Sequence, residues 1–366
     1  MKIVWFVHAL ASCWNNGNAH FLRGLGVALQ EMGHEVRFLE PRDGWSETNL
    51  VRDHGNRALD SFRAAFPDLR TTKYDAANVD LWQATEGADL VVVHEWNPPA
   101  LVNALGRMRA DGAPFVLFFQ DTHHRAVSNP EEMRRFELSG YDGALVFGAA
   151  IAELYRRQGW VENVWPFHEA ADTTTFFPRP PNPECDLVWI GNWGDGERSA
   201  ELREFLIDPA GRLGLSTQLY GVRYPAPVLA ELEQRGISWR GWLANHEAPL
   251  AFAKARFTVH VPRRHYAHLL PGIPTIRVFE ALACGIPLIS SPWDDCEGLF
   301  PHGCYLTARD GEEMRKLMRA VIADRDLREN LRRKGLAAIR ARHTCRHRAR
   351  ELLALAGGCQ PMRKAA

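Results

Sequence analysis

Residues 271–290 read PGIPTIRVFEALACGIPLIS, and this stretch decides the fold. A turn rich in glycine and proline comes first, and a short helix follows that ends at Gly285. Pro287–Ser290 then forms an apolar run that is too short for a helix. A helix that leads straight into a buried strand is typical of an α/β protein with a parallel sheet.

The same alternation of strands and helices extends outward from this stretch. Leucines at helical spacing predict a helix between Asn18, as its N-cap, and Gly33, just beyond its C-terminus. Short apolar runs predict further strands at Lys2–Val7, Val36–Leu39, Leu90–Val93, Phe115–Phe119, Ala144–Phe147, Leu187–Ile190, Gln218–Tyr220 and Thr258–Val261. The pattern predicts two parallel sheets covered by helices, and ligands bind such sheets at the carboxyl ends of their strands.

A proline-rich segment separates the two halves of the pattern. Residues 177–183 contain four prolines in seven positions, which can form neither a helix nor a central strand. We therefore predict an N-terminal domain over residues 1–166, a hinge over 167–184 and a C-terminal domain over 185–340. Residues 341–366 are predicted to form a basic helix and, from residue 357, a frayed tail, with this segment packing back on the first domain.

The composition is that of a soluble globular protein. The 366 residues are 46% hydrophobic and 24% charged, and 44 Lys and Arg balance 44 Asp and Glu, so that the formal charge is zero. A dedicated nucleic-acid binder would carry a basic excess, so we expect no nucleic-acid partner. We recognise neither a membrane-spanning run of roughly 20 residues nor a signal peptide. Seven scattered cysteines without a Cys-x-x-Cys pair indicate reduced thiols and a cytoplasmic protein.

The C-terminal stretch is basic. Residues 332–350 contain eight Lys and Arg and no carboxylate. Such a run is typical of a solvated helix face. The alternative is a weak attraction to anionic lipid, which would be a peripheral membrane contact, or to an anionic acceptor.

The segment around Glu280 resembles the signature helix of the family 4 (group 1) glycosyltransferases of the GT-B fold. The family motif runs Glu, seven residues, Glu and then Ala-x-Ala-x-Gly-x-Pro, and residues 280–287 match its second half. The core Arg-x-Phe-Glu-Ala-Leu-Ala-Cys-Gly is similar to that of the CgeB-like (spore maturation protein) branch. Weaker matches at Gly17, residues 32–36, 92–95 and 168–178 extend the resemblance over about residues 1–345. It implies two Rossmann-like domains that face an interdomain cleft, with residues 1–166 as the acceptor-side domain and residues 185–340 as the nucleotide-sugar-binding domain.

The sequence departs from the family pattern at two positions. Gly272 stands where the first glutamate of the motif is expected, a residue that contacts the donor sugar in the family. Gln120 stands where family members often carry a histidine, with Asp121, His123 and His124 close behind it. The departure at Gly272 leaves the choice of sugar open, and the two departures together are the features that favour a protein that has lost catalysis.

The resemblance implies a set of donor-binding residues. Glu280 is expected to accept hydrogen bonds from the ribose hydroxyls, and Arg198 to hold the diphosphate. The helix N-terminus after Thr275 offers backbone N–H groups to a phosphate. The other candidates are Arg277 and Arg263 for phosphate, Gly272 for the sugar, Trp242 for the base and Gly17 for a close approach of the first loop. The alternatives are plain surface ion pairs, among them one between Arg277 and Glu280, and an ordinary turn glycine.

Acceptor chemistry is assigned to polar residues that follow strands of the first half. Asp121, His123 and His94 are the candidates for hydrogen-bonding or deprotonating the incoming hydroxyl. For each histidine, a structural role with satisfied hydrogen bonds is the alternative. The histidine-rich stretches 265–268 and 343–347 lack a complete tetrahedral ligand set, so we predict no metal site.

The resemblance implies a hexosyltransferase-like enzyme of polysaccharide or glycoconjugate biosynthesis. It would move a sugar from a nucleotide diphosphate to an acceptor hydroxyl, with retention and without a metal or a permanently bound cofactor. The base (UDP, GDP or dTDP) and the acceptor stay open. One alternative is a nucleotide-sugar epimerase, for which Asp294 and Asp295 are the available carboxylate pair. The other is a nucleotide-sugar-binding or assembly protein that has lost catalysis.

Overall fold

The computed structural model describes residues 1–359, which divide into two compact units. One unit comprises Met1–His168 and the segment that begins at Cys345, and the other comprises Glu169–Thr344. Each unit contains a parallel sheet with helices, which confirms the predicted α/β architecture. No helix in the described part of the chain is long and apolar enough to cross a membrane.

The first unit has a seven-stranded sheet. Its strands are β1 (Lys2–Phe6), β2 (Glu35–Pro41), β3 (Thr71–Tyr74), β4 (Leu90–His94), β5 (Val116–Asp121), β6 (Gly143–Val146) and β7 (Val164–Pro166). Its helices up to residue 158 are α1 (Ala19–Glu31), α2 (Trp45–His54), α3 (Arg57–Ala65), α4 (Leu81–Ala84), α5 (Pro99–Ala110), α6 (Arg125–Ser128), α7 (Pro130–Met133) and α8 (Ala149–Gln158). The strand order is β3-β2-β1-β4-β5-β6-β7, and all pairs are parallel. The order reverses beside β1, and ligands bind α/β sheets at such a point.

The second unit has a six-stranded sheet. Its strands are β8 (Cys185–Ile190), β9 (Thr217–Tyr220), β10 (Ile237–Trp239), β11 (Ala255–His260), β12 (Leu288–Ser290) and β13 (Leu306–Thr307). Its helices are α9 (Ser199–Leu202), α10 (Asp208–Leu213), α11 (Ala226–Gln234), α12 (Ala248–Ala253), α13 (Ile276–Cys284), α14 (Gly311–Ala323) and α15 (Arg325–Arg342). Short π-helical turns lie at Arg203–Ile207 and His265–Leu269, and a 3-10 turn lies at Asn245–Glu247. The strand order is β10-β9-β8-β11-β12-β13, again parallel.

The proline-rich segment belongs to the second unit. Its backbone follows the turn between α12 and β11, because Asn182 N donates to Ala253 O at 2.9 Å and Glu184 N donates to Lys254 O at 2.7 Å. The division between the units falls at residues 168/169 and 344/345. The hinge function of residues 167–184 and the assignment of donor and acceptor to the two domains stay predictions.

Two local predictions differ from the structure in detail. Asn18 occupies the N-cap position of α1, as predicted, but its side chain makes no capping hydrogen bond, and its amide is turned to His94 and Thr122. The basic C-terminal segment is not one helix from residue 341: α15 ends at Arg342, and α16 (Cys345–Cys359) is a separate helix that packs on α1. Residues 357–359 of the predicted tail are helical, and residues 360–366 lie outside the described residues.

The break between α15 and α16 has a physical cause at His343. Its imidazole is buried, with Nε2 2.7 Å from Leu299 O and the ring packed against Phe279 and Phe300. Its carbonyl accepts a hydrogen bond from Ala171 N at 2.9 Å. A helical continuation would need that carbonyl for its own ladder, so these contacts end the helix. A cytoplasmic location and a membrane contact through residues 332–350 stay predictions.

Candidate functional site

Three arginines gather beyond the carboxyl ends of β8 and β11 in the second unit. Arg198 follows the glycine loop after β8, Arg263 follows β11, and Arg277 lies in the first turn of α13. Burial, helped by the positive charges of Arg263 and Arg277, lowers the pKa of Arg198 to about 10. Cations that repel one another in a partly desolvated place favour the binding of an anion.

Arg198 has no carboxylate partner among the residues described. Its guanidinium donates to two backbone oxygens, Val261 O at 3.1 Å and Asn192 O at 2.5 Å, and its Nε has no hydrogen-bond partner in that part of the chain. The side chain passes the indole of Trp189, with Cζ 5.2 Å from the ring centre. Gly194 has a φ of +87°, and a Cβ there would lie 3.0 Å from the Arg198 side chain. The loop thus needs glycine at this position to place the guanidinium.

The other two arginines have acidic partners. Arg263 Nη1 lies 2.5 Å from a carboxylate oxygen of Glu197. Arg277 donates to Glu280 Oε2, and Asn245 Nδ2 donates to Glu280 Oε1 at 2.8 Å. Glu280 is fully buried, so the carboxylate joins the first turns of α13 to the turn at Asn245. The ion-pair alternative is therefore present in the structure, and the ribose contact of Glu280 stays a prediction.

The N-terminus of α13 is free of a side-chain cap. Thr275 has an extended backbone there, and its Oγ1 lies 3.0 Å from His260 Nε2. Ser290 donates its hydroxyl hydrogen to Ser291 O at 2.7 Å, and His260 Nδ1 lies 2.9 Å from Ser290 Oγ. Nδ1 of His260 is therefore assigned as the donor to Ser290 and Nε2 as the acceptor from Thr275. Burial, followed by the charge of Arg198, lowers the pKa of His260 to about 3 and keeps it neutral.

Gly272 could not carry a side chain without a change in its surroundings. Its φ is +81°, its N donates to Asp294 O at 2.7 Å, and a Cβ would lie 2.6 Å from Glu297 Oε1. The departure from the family motif at this position is thus built into the turn. Trp242 is half-buried in the loop after β10, and its contact with a base stays a prediction.

A second group of polar residues lies at the carboxyl ends of β4 and β5 in the first unit. His94, Glu95 and Asp121 are all fully buried, and His94 Nδ1 lies 2.9 Å from Glu95 Oε2. Burial alone would raise the pKa of Glu95. The charges of His94 and Arg125 outweigh the effect of burial and lower this pKa to about 2. Burial and then the charge of Glu95 raise the pKa of Asp121 to about 7. Two neighbouring carboxyls with such different environments suit proton transfer.

Asp121 uses both of its oxygens within the first unit. Oδ1 accepts the backbone N–H of His123 at 3.0 Å, and Oδ2 accepts the hydroxyl of Tyr155 at 2.7 Å. The carboxyl therefore fixes the turn that carries His123, whose side chain is half-buried. The imidazole of His123 packs edge-on against Trp96, with the ring centres 4.9 Å apart.

The structure adds residues to this group that the sequence did not single out. His8 follows β1, and burial and then His94 lower its pKa to about 3. Thr122 Oγ1 lies 3.1 Å from His94 Nε2 and 3.2 Å from Glu95 Oε1. Arg125, Trp96, Asn18 and Tyr155 complete the group. These residues are scattered between positions 8 and 155. The sequence feature that could have indicated these residues is that most of them directly follow a strand.

Family models and solved structures resemble both units. A glycosyl transferase 4-like domain matches residues 16–165, and a glycosyl transferase-like domain matches residues 198–354. The fold is shared with sucrose-phosphate synthase from Thermosynechococcus elongatus at a TM-score of 0.66 and 14% identity, covering 98% of each chain. The chain has the GT-B fold and carries two domains that match glycosyltransferase family models.

Other GT-B structures of similar length show the same likeness. An alpha-glucosyltransferase in complex with UDP has a TM-score of 0.68 at 13% identity, covering 97% of this chain and 99% of that one. Anabaena HepE in complex with UDP has a TM-score of 0.67 at 13% identity, covering 98% and 100%. None of the curated proteins matches the sequence.

In this GT-B chain the predicted site residues form two groups. The carboxyl edge of the second sheet carries the predicted donor residues Arg198, Arg263, Gly272, Thr275, Arg277, Glu280 and Trp242. The carboxyl edge of the first sheet carries His94, Asp121 and His123. Gly17, predicted for the donor, lies in the loop after β1, next to Asn18, whose amide reaches His94. The approach of Gly17 to a phosphate stays a prediction.

Proposed function

We propose that this chain transfers a sugar from a nucleotide-diphosphate donor to an acceptor hydroxyl. The observation that carries the proposal is Arg198, a half-buried cation without a carboxylate partner among the described residues, beside two further arginines. A diphosphate supplies the negative charge that Arg198 lacks, since Arg263 and Arg277 have carboxylate partners of their own. The N-terminus of α13, which has no side-chain cap, offers backbone N–H groups at the same edge of the sheet.

These groups also suit the transition state of transfer. When the bond between the sugar and the diphosphate oxygen breaks, the leaving diphosphate gains negative charge. Fixed cations and N–H dipoles aimed at that charge lower the barrier without a protein nucleophile. Transfer with retention and without a metal, as the family resemblance implies, is the form of the reaction that we propose.

The acceptor hydroxyl is proposed to bind at the first unit, with His123 as the group that accepts its proton. His123 is half-buried, whereas His94 and Asp121 are fully buried. We therefore assign contact with the acceptor to His123. Asp121 positions it through the hydrogen bond from the His123 backbone at 3.0 Å, and Nδ1 of the buried His94 lies 2.9 Å from Glu95 Oε2.

Two finer assignments belong to the same proposal. The core sequence of α13 supports membership of the CgeB-like branch. The solved structures bound to UDP make UDP-sugars the first donors to test, ahead of GDP- and dTDP-sugars. The epimerase alternative is disfavoured, because Asp295 accepts the backbone N–H groups of Leu299 and Phe300, both at 2.8 Å, and so shapes its own loop.

The test uses the full chain with a panel of UDP-, GDP- and dTDP-sugars. We expect one donor to raise the melting temperature and to be slowly hydrolysed, with release of the nucleoside diphosphate. Arg198→Ala should weaken binding of that donor about 10- to 100-fold, because a hydrogen bond to a charged group contributes about 1.5–3 kcal/mol. The donor affinity of Arg198→Lys should lie between those of the wild type and Arg198→Ala, since lysine keeps the positive charge but not the two-pronged guanidinium.

The matched control is Arg212→Ala, an exposed arginine on α10, which leads into the amino end of β9. This variant should bind the donor like the wild type. Equal binding by the Arg198→Ala and Arg212→Ala variants would contradict the proposal. Donor binding without turnover, with every acceptor tried, would favour the protein that has lost catalysis.

A further inference from the structure

The loop after β4 holds Trp96 in a fixed position at the edge of the first sheet. Its neighbour Asn97 donates to Phe6 O at 2.9 Å and to His94 O at 2.8 Å, and it accepts the hydroxyl of Tyr74 at 2.9 Å. Asn97 is buried, so these hydrogen bonds are shielded from water. The backbone around the indole is thus anchored to β1, β3 and β4.

The indole itself is held by a guanidinium. Arg125 Cζ lies 4.1 Å from the centre of the Trp96 ring, a cation–π contact. Arg125 in turn donates to Glu95 O at 2.6 Å and to Glu132 Oε1 at 2.7 Å. A cation fixed in this way prevents the ring from turning away, and one face of the ring is covered.

Part of the ring faces solvent. Trp96 is 42% exposed, although the residues on both sides of it, Glu95 and Asn97, are buried. Single exposed aromatic residues are common on proteins and by themselves indicate nothing. Here the exposed indole packs against Arg125 and touches His123, the residue assigned to the acceptor hydroxyl. Such preorganisation lowers the entropy cost of binding a ligand.

Neutral polar groups lie near the exposed ring, in addition to the cation Arg125. His8, whose ring centre lies 5.9 Å from that of Trp96, has a pKa lowered to about 3 by burial and by His94, so it presents a neutral imidazole. Thr122 contributes a hydroxyl. The charged side chains are already engaged, since Arg125 donates twice and the carboxylate of Glu95 is fully buried. Neutral imidazoles and hydroxyls can both donate and accept, as sugar hydroxyls do.

We propose that Trp96 is the stacking platform for a sugar ring of the acceptor, which makes the acceptor a saccharide or glycoside. A pyranose has an apolar face of C–H groups that fits an indole and a rim of hydroxyls that fits the neutral polar groups. A nucleic-acid acceptor would need unengaged cations for its phosphates, and Arg125 is not one. This inference rests on the proposed transferase function, because it names the class of its acceptor.

The test is saturation-transfer NMR on the full chain without any donor, so that it does not depend on turnover. The probes are the methyl glycosides of glucose, galactose and mannose at millimolar concentration. We expect saturation to reach the ring C–H protons of at least one probe in the wild type. Trp96→Ala should weaken this binding about tenfold, and Trp96→Phe should restore part of it, because a smaller aromatic face remains.

The matched control is Trp82→Ala. Trp82 is 63% exposed, but α4 leads into the amino end of β4, at the opposite edge of the sheet. This variant should bind the methyl glycosides like the wild type. Equal binding by Trp96→Ala and wild type, no binding of any methyl glycoside, or displacement of the glycoside by a short single-stranded oligonucleotide would each overturn the inference. Failure of donor hydrolysis alone would count against the proposed function and not against this site.

Discussion

The raised pKa of Asp121 gives a specific dependence of stability on pH. Burial and the charge of Glu95 raise it from 3.8 to about 7. Below pH 4 the carboxyl is protonated in both the folded and the unfolded chain. Between pH 4 and 7 the unfolded chain releases the proton and the folded chain keeps it, so the free energy of unfolding falls by about 1.4 kcal/mol per pH unit. Above pH 7 the free energy of unfolding falls no further, and the total loss from this carboxyl is up to about 4 kcal/mol.

Asp121→Asn removes the titrating carboxyl, and with it this pH-dependent loss of stability, while it keeps an oxygen that accepts the N–H of His123. The variant should therefore gain stability relative to the wild type as the pH rises from 5 to 8. We would measure amide hydrogen exchange of peptides that cover β5, corrected for the intrinsic rate at each pH. Tyr155→Phe removes a hydrogen bond that lowers this pKa, so it should move the inflection to higher pH. A stability difference between Asp121→Asn and wild type that stays the same from pH 5 to 8 would refute the reasoning.

Three further predictions concern stability. Gly272→Ala should destabilise the second unit by about 1–3 kcal/mol in urea unfolding, because Gly272 has a φ of +81° and a Cβ there would meet Glu297. The control is Gly33→Ala: Gly33 has a similar φ of +85° but open space around it, so this substitution should lower the free energy of unfolding by less. Arg23→Met removes hydrogen bonds to Leu10 O and Ala11 O at 2.8 and 3.0 Å and should cost about 2–4 kcal/mol in the same assay; no change would contradict it. His260, with a pKa lowered to about 3, is neutral when folded, so stability should fall by about 1.4 kcal/mol per unit as the pH drops below 6.5. In His260→Gln this fall should be smaller in acid unfolding, and an unchanged slope would contradict the prediction.

Central strands could be predicted from the sequence, and several edge strands could not. β1, β4, β5, β8 and β11 are buried on both faces and therefore appear as apolar runs. β3, β7 and β13 are edge strands, and their sequences TTKY, VWP and LT carry no apolar run. An edge strand has one neighbour and tolerates polar residues and even proline, so its pattern is weak.

The sites show the same division between local and long-range information. The ion pair between Arg277 and Glu280 was predictable, because residues three apart share a helix face. Asn245, the second partner of Glu280, is 35 residues away in the chain, and no spacing indicates it. Likewise His8 and Tyr155 join the group around Asp121 only through the strand order of the sheet. Charge on a histidine or aspartate is set by such neighbours, so the pKa values could not be predicted from the sequence.

The electrostatics of the two units favour the proposed assignment of donor and acceptor on grounds that do not involve the family resemblance. In the second unit, Arg198 keeps its charge without a carboxylate partner among the described residues, next to two other arginines. In the first unit, Arg125 is engaged by Glu132 and a backbone oxygen, and Glu95 is ionised and buried. A diphosphate placed there would be repelled by the buried carboxylate of Glu95, and Arg125 already donates its hydrogen bonds to other partners, so binding is opposed. These charges therefore favour the proposed placement of the donor at the second unit and of the acceptor hydroxyl at the first, where Asp121, with a pKa raised to about 7, positions His123.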